Sequence, residues 1–182
     1  MLYFASLHST RFVPVVIPAT GVDDAIPFQP WFILAYLSFF VFLPLPLFFI
    51  RHLEEFVPAS FGFLLIVIVS NTIFLLWPTV IPPGAPYDPL LHGLFVVDRD
   101  RNACPSLHAS LALYCCLCIN RHLSKPLAIA ALWLWALLIM ASPLLIKRHM
   151  FIDIAAGSLL ALVVYFAVLP FVAARFRQFA RS

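Results

Sequence analysis

Two short segments of this 182-residue chain carry side chains able to do chemistry: Cys104-Pro105-Ser106-Leu107-His108, and Lys147-Arg148-His149-Met150-Phe151-Ile152-Asp153. His149 and Asp153 are four residues apart, so on a helix their side chains share one face. A carboxylate that accepts a hydrogen bond from one imidazole nitrogen sets the tautomer and makes the other nitrogen the better nucleophile or base. His108 follows Pro105 by three positions, in the first turn of a helix, where free N–H groups favour anions. Ser106 and the neighbouring amides are then placed to cradle a phosphoryl group while His108 protonates a leaving oxygen. Lys147 and Arg148 suit phosphate oxygens, Arg in a bidentate manner and Lys as a point charge. Each feature also has a plainer reading. His149 and Asp153 can be a structural pair joining helices, His108 an interfacial residue, and the two cations side chains snorkelling toward headgroups. Arg99 and Arg101 alternate with Asp98 and Asp100, which reads as local pairing in a solvated loop.

These segments must be held by elements in an unusual solvent. The chain is 64% hydrophobic and 10% charged, whereas soluble domains are about 45–50% apolar and about 25% charged. Such a composition excludes a water-soluble globule and calls for lipid around an all-α, polytopic helical bundle. The length suits one domain over residues 1–182. The formal charge of +3 is spread out, with no Lys/Arg run suited to nucleic acid. Cys104, Cys115, Cys116 and Cys118 form neither a disulfide framework nor a zinc spacing. No cleavable leader is expected, because His8, Arg11, Pro14 and Pro18 interrupt the N-terminal region.

A spanning helix needs roughly 20 apolar residues, and uncharged stretches of that order suggest about five spans. They lie near residues 31–50, 58–81, 105–120, 126–146 and 151–174, behind an interfacial segment over 1–30. Pro58, Pro105 and Pro126 suit first helical turns, while Pro44, Pro46 and Pro143 predict kinks. Both chemical segments open a span entered from the same face, so they can converge. Asp23 and Asp24 read as markers of the membrane surface, His92 as a loop residue, and His8, His52 and His122 as interfacial. Trp31, Trp77, Trp133 and Trp135 fit aromatic belts or packing. Of eleven cations, the six at Arg51, Arg121, Lys125, Arg175, Arg177 and Arg181 share one face. The positive-inside rule then puts the C-terminus in the cytoplasm and the histidine segments at the extracytoplasmic mouth.

At the two histidine segments the chain resembles the type 2 phosphatidic acid phosphatase superfamily. That superfamily includes lipid phosphate phosphatases, inositol phosphorylceramide synthases and sphingomyelin synthases. Pro105-Ser106-Leu107-His108 is similar to its Pro-Ser-Gly-His motif at three of four positions, and the Leu variant looks like the inositol phosphorylceramide synthase branch. The third motif is Ser-Arg, five residues, His, three residues, Asp; Ser142, His149 and Asp153 match it, and Pro143 replaces the Arg. The first motif, Lys, six residues, Arg-Pro, has no match. Trp77-Pro78-Thr79-Val80-Ile81-Pro82-Pro83 stands in its place and resembles a proline-rich version. Members usually have six spans, and five are read here. The likeness runs from about Asp23 to the end.

The resemblance implies a membrane-embedded lipid phosphatase or phosphotransferase working through phospho-histidine. His149 would be the nucleophile, Asp153 would orient it and His108 would be the general acid. Ser106, Ser142, Lys147 and Arg148 would bind phosphate. No metal or other cofactor is implied. The substrate would be a phospholipid, sphingolipid or isoprenoid phosphate drawn from the surrounding lipids. A catalytically inactive lipid-binding or scaffolding member of the fold is the alternative, motivated by Pro143 and the missing first motif.

Overall fold

The computed structural model describes residues 12–82, 88–89, 91 and 102–179. His8, Arg11, His92, Asp98, Arg99, Asp100, Arg101 and Arg181 lie outside them. Among the described residues the chain forms a helical membrane bundle. Its elements are β1 Val15–Val16, α1 Gly21–Ala25, a 3-10 turn Pro30–Phe32, α2 Ile33–Phe42, α3 Pro46–Phe49 and α4 Leu53–Leu76. There follow β2 Thr79–Val80, α5 Leu107–Asn120, α6 Pro126–Leu145 and α7 Phe151–Phe179. A π-helical stretch, Val164–Val168, interrupts α7. The two strands pair in parallel, Val15 opposite Thr79 and Val16 opposite Val80.

Three helices, α4, α6 and α7, are long and apolar enough to cross a membrane. The other two expected spans come out shorter. The first breaks into α2 and α3 because Pro44 and Pro46 lack the N–H a helix needs and crowd the preceding turn. The third becomes α5, whose 14 residues rise only about 21 Å, short of a hydrocarbon core of about 30 Å. Helix α4 starts at Leu53, earlier than Pro58 suggests, because Glu54 and Glu55 in its first turn complement the positive end of the helix dipole. Pro58 therefore lies inside the helix. At the far end α4 stops before Trp77-Pro78, since a residue preceding proline avoids the helical region, and Thr79–Val80 goes to the strand pair instead.

Helix α5 is the axis. Ten of its 14 residues are buried, and it packs against α2, α4, α6 and α7, as expected of a helix apolar all round. The outer helices turn apolar side chains away from it: Leu64, Ile68, Leu134, Leu159 and Phe166 are all exposed, a surface suited to lipid. Polar groups tie helices together where they meet. The Trp135 indole N–H donates to Ser38 Oγ at 2.9 Å, and the Tyr114 hydroxyl donates to the Ala59 carbonyl at 3.0 Å.

That last contact depends on Gly62. A Cβ there would lie 2.1 Å from the Tyr114 hydroxyl oxygen and 2.7 Å from Cζ, so α4 and α5 pack against a surface with no side chain. Gly62→Ala is expected to cost about 1–3 kcal/mol, the usual range for overpacking. Thermal unfolding of the purified protein in detergent measures it.

Candidate active site

The site is built from the starts of α5 and α7. Asp153 is the third residue of α7, and its Oδ2 accepts the Met150 N–H at 2.9 Å, the carboxylate half of a capping box. The same oxygen lies 3.3 Å from His149 Nδ1. One carboxylate oxygen thus caps the helix and faces the imidazole, and Asp153 is fully buried. Its backbone carbonyl accepts the Ser106 N–H at 3.0 Å, which fastens the start of α5 to the start of α7. Ser106 caps α5, its Oγ accepting the Ala109 N–H at 3.4 Å, and His108 follows as the second helical residue. The rings of His108 and His149 are brought to a centroid separation of 6.5 Å, inclined by 56°.

The chain reaches His149 through a tight helix exit. At the end of α6 the Arg148 N–H donates to the Pro143 carbonyl and the Lys147 N–H to the Leu144 carbonyl. With Lys147 at φ 56°, this is a Schellman turn whose left-handed position carries Lys where Gly is usual. The turn is tied down from the N-terminal segment. The Lys147 ammonium donates to the Asp23 carbonyl at 2.8 Å and the Ile26 carbonyl at 2.6 Å.

Asp23 itself is buried, contrary to its reading as a surface marker. Its carboxylate accepts the Thr20 N–H and hydroxyl, and the Phe151 N–H at the first turn of α7. Burial alone would raise the Asp23 carboxyl, but the bonds from Thr20 and Phe151, with the Lys147 charge, hold it below the ordinary value.

The sequence-derived site residues do not all meet. His108, His149, Asp153 and Ser106 converge. Arg148 is buried beside His149. Lys147 is committed to backbone carbonyls, and Ser142 is fully buried with its hydroxyl donating to the Ile139 carbonyl at 2.8 Å. The Cys104 thiol is pushed up to about 11 by burial and by the Asp153 charge, so it is no nucleophile at neutral pH. Among the described residues no three His, Cys, Asp or Glu side chains gather as a metal-ligand set.

Four residues of the site were hidden from sequence reasoning. Tyr36 stacks on His108 at 4.1 Å and Phe39 lies at 4.2 Å, so two side chains of α2 clasp the imidazole; in sequence they are ordinary apolar residues of a span. Thr79 receives the Cys104 N–H on its hydroxyl at 2.9 Å, supporting the loop that leads into Ser106. Gly157 is the fourth, and it carried a signal, lying four residues after Asp153 on the same face. A Cβ there would lie 2.4 Å from the Ser106 carbonyl oxygen.

An all-α membrane bundle with two imidazoles 6.5 Å apart where two helices begin, one beside a buried carboxylate, defines a membrane-embedded histidine site. The PAP2 superfamily model matches residues 72–177, which include both histidine segments, and the chain belongs to that superfamily. Membership supports a phosphatase-type function, and members are generally phosphatases or phosphotransferases. No curated protein and no solved structure matches the chain.

Two outcomes follow from this geometry. Gly157→Ala is expected to push α5 from α7 and to lower stability by about 1–3 kcal/mol, read by thermal unfolding in detergent. The Asp23 carboxyl has a folded value below 3.8, so its contribution is complete above that pH and fades as pH falls through the lower folded value. Asp23→Asn is therefore expected to lower the unfolding temperature at pH 7, with a difference from the parent protein that shrinks toward pH 2.

Proposed function

We propose that the protein is a lipid phosphatase or phosphotransferase that works through a phospho-histidine at His149. The observation that carries the reading is the pair of imidazoles whose ring centroids lie 6.5 Å apart, close enough for both side chains to reach one phosphoryl group. With Nδ1–H directed to Asp153, the lone pair on His149 Nε2 attacks phosphorus. The N–P bond forms as the P–O bond to the leaving group breaks, and His108 gives its proton to the departing oxygen. A water or alcohol then passes its proton to His108 and attacks the phospho-histidine. That step releases phosphate or a new ester and regenerates His149. Arg148, buried next to the nucleophile, supplies positive charge in place of the Arg that Pro143 replaces, and the amides at the start of α5 add their dipole. Tyr36 and Phe39 keep the His108 ring in position. The substrates this reading favours are phosphatidic acid-like, sphingolipid or polyprenyl phosphates. The charge asymmetry of the two faces favours an extracytoplasmic site and a cytoplasmic C-terminus.

Phosphate release from phosphatidic acid in mixed micelles tests it. His149→Ala is expected to fall to background, and His108→Ala by about 10²–10⁴-fold, with a smaller loss on an aryl phosphate whose leaving group needs no proton. Brief incubation with labelled substrate should leave acid-labile, base-stable label on the protein, absent from His149→Ala. Equal turnover in the parent and His149→Ala proteins would overturn the proposal. Supplying a candidate alcohol with labelled phospholipid separates transferase from phosphatase by whether label enters a new ester.

A second reading, a lipid-binding member without turnover, draws on Pro143 and on the engagement of Lys147 by backbone carbonyls. Vanadate-sensitive turnover excludes it.

A further inference from the structure

The end of the bundle away from the histidines holds a second feature that the proposed chemistry does not use. Arg121 and His122 lie just past the end of α5, thirteen and fourteen residues beyond His108, about 20 Å along the helix. There the ends of α5 and α7 and the start of α4 line an open cavity of about 320 Å³, within the size range of small-molecule sites. Its mouth carries both signs of charge: Arg121 and Arg177 against Glu54 and Glu55. His122 Nε2 lies 3.8 Å from Glu55 Oε2.

The cavity wall is irregular in a way that offers acceptors. Pro58 and Pro170 both line it, and neither has an N–H to give the carbonyl four residues earlier. The first of those carbonyls belongs to Glu54, which lines the same cavity. The π-helical stretch Val164–Val168 runs along it, and such stretches gather at functional sites. Next to this polar chamber is an apolar one of about 230 Å³, walled by Leu43, Leu47, Phe56 and Phe63. The two share Ile50, Ala59 and Cys118.

A charged chamber opening beside an apolar slot has the form of an amphiphile. Two arginines alone would suit any anionic headgroup. The two carboxylates at the same mouth make a net anion unfavourable and a zwitterion favourable. We propose that this end of the bundle binds a zwitterionic phospholipid. Its phosphate lies between Arg121 and Arg177, its ammonium at Glu54 and the Glu54 carbonyl, and its acyl chain enters the apolar slot. The site is separate from the histidine pair and does not depend on turnover there.

Native mass spectrometry of the full chain in detergent, titrated with dioctanoyl phosphatidylethanolamine or dioctanoyl phosphatidylglycerol, tests the proposal. The parent protein is expected to bind one phosphatidylethanolamine more tightly than phosphatidylglycerol. Arg121→Gln with Arg177→Gln should weaken that binding tenfold or more, and Glu54→Gln should shift the preference toward phosphatidylglycerol. These side chains are exposed, so the fold is retained, and His108→Ala should leave the affinity unchanged. Unchanged affinity in the double Arg variant, a parent preference for phosphatidylglycerol, or loss of binding in His108→Ala would each overturn it.

Discussion

The Asp153 carboxylate and the backbone on which it sits hold together two things that must coincide for the histidine site to exist. Its Oδ2 closes the first turn of α7 and faces His149 Nδ1, while its main-chain carbonyl receives the amide at the cap of α5. A carboxylate fully removed from solvent is costly unless hydrogen bonds compensate it. Here the compensation comes from a helix terminus, which carries partial positive charge and unsatisfied N–H groups. The same few atoms therefore offset part of the cost of a buried charge through Oδ2, start a helix and hold an imidazole close. Gly157, one turn further along, allows the two helix starts to approach closely enough for the Ser106 bond to form.

The rest of the bundle supports that junction. Helix α5 is enclosed by neighbours, which suits a helix that carries a site residue at its mouth and no lipid-facing surface of its own. Helix α2 contributes aromatic rings against His108 rather than charge. The connection from α6 to α7 is only a few residues long, and its Schellman turn aims Arg148 and His149 inward. The left-handed Lys147 is an uncommon choice there and carries some backbone strain. Its ammonium bonds to the N-terminal segment offset that strain, and Asp23 completes the fastening by capping α7 from outside. The N-terminal segment thus acts as a strap across the mouth of the bundle.

The two ends of the bundle differ in kind. At the histidine end, polar groups are buried, and the starts of α5 and α7 are hydrogen-bonded to each other through Ser106 and Asp153. At the other end, charges of both signs stand at an open cavity, and two prolines interrupt the backbone ladders of α4 and α7 beside it. A helix broken in this way is tolerated at membrane depth where another group can satisfy the released carbonyls.

Composition and spacing by themselves determined the solvent, the helical class and the two histidine segments, because apolar content, uncharged run length and an i, i+4 pair are local properties. The family could be read for the same reason, since its motifs lie on contiguous residues. Span ends were less legible. Glu54 and Glu55 draw α4 back past Pro58, and Pro44 with Pro46 divides the first span, both matters of competing local terms that a run length does not weigh. The roles of Tyr36, Phe39, Asp23, Thr79 and Gly157 were decided only by tertiary structure. Each acts through a partner far away in sequence, and an aromatic ring in an apolar helix looks the same whether it meets lipid, a packed neighbour or an imidazole, while the spacing of Gly157 from Asp153 gives its face but not what it approaches. Lys147 and Ser142 teach the same lesson in reverse: a cation and a hydroxyl at motif spacing were drawn off to backbone carbonyls, because hydrogen-bond demand in a dry bundle is met by whichever group stands nearest.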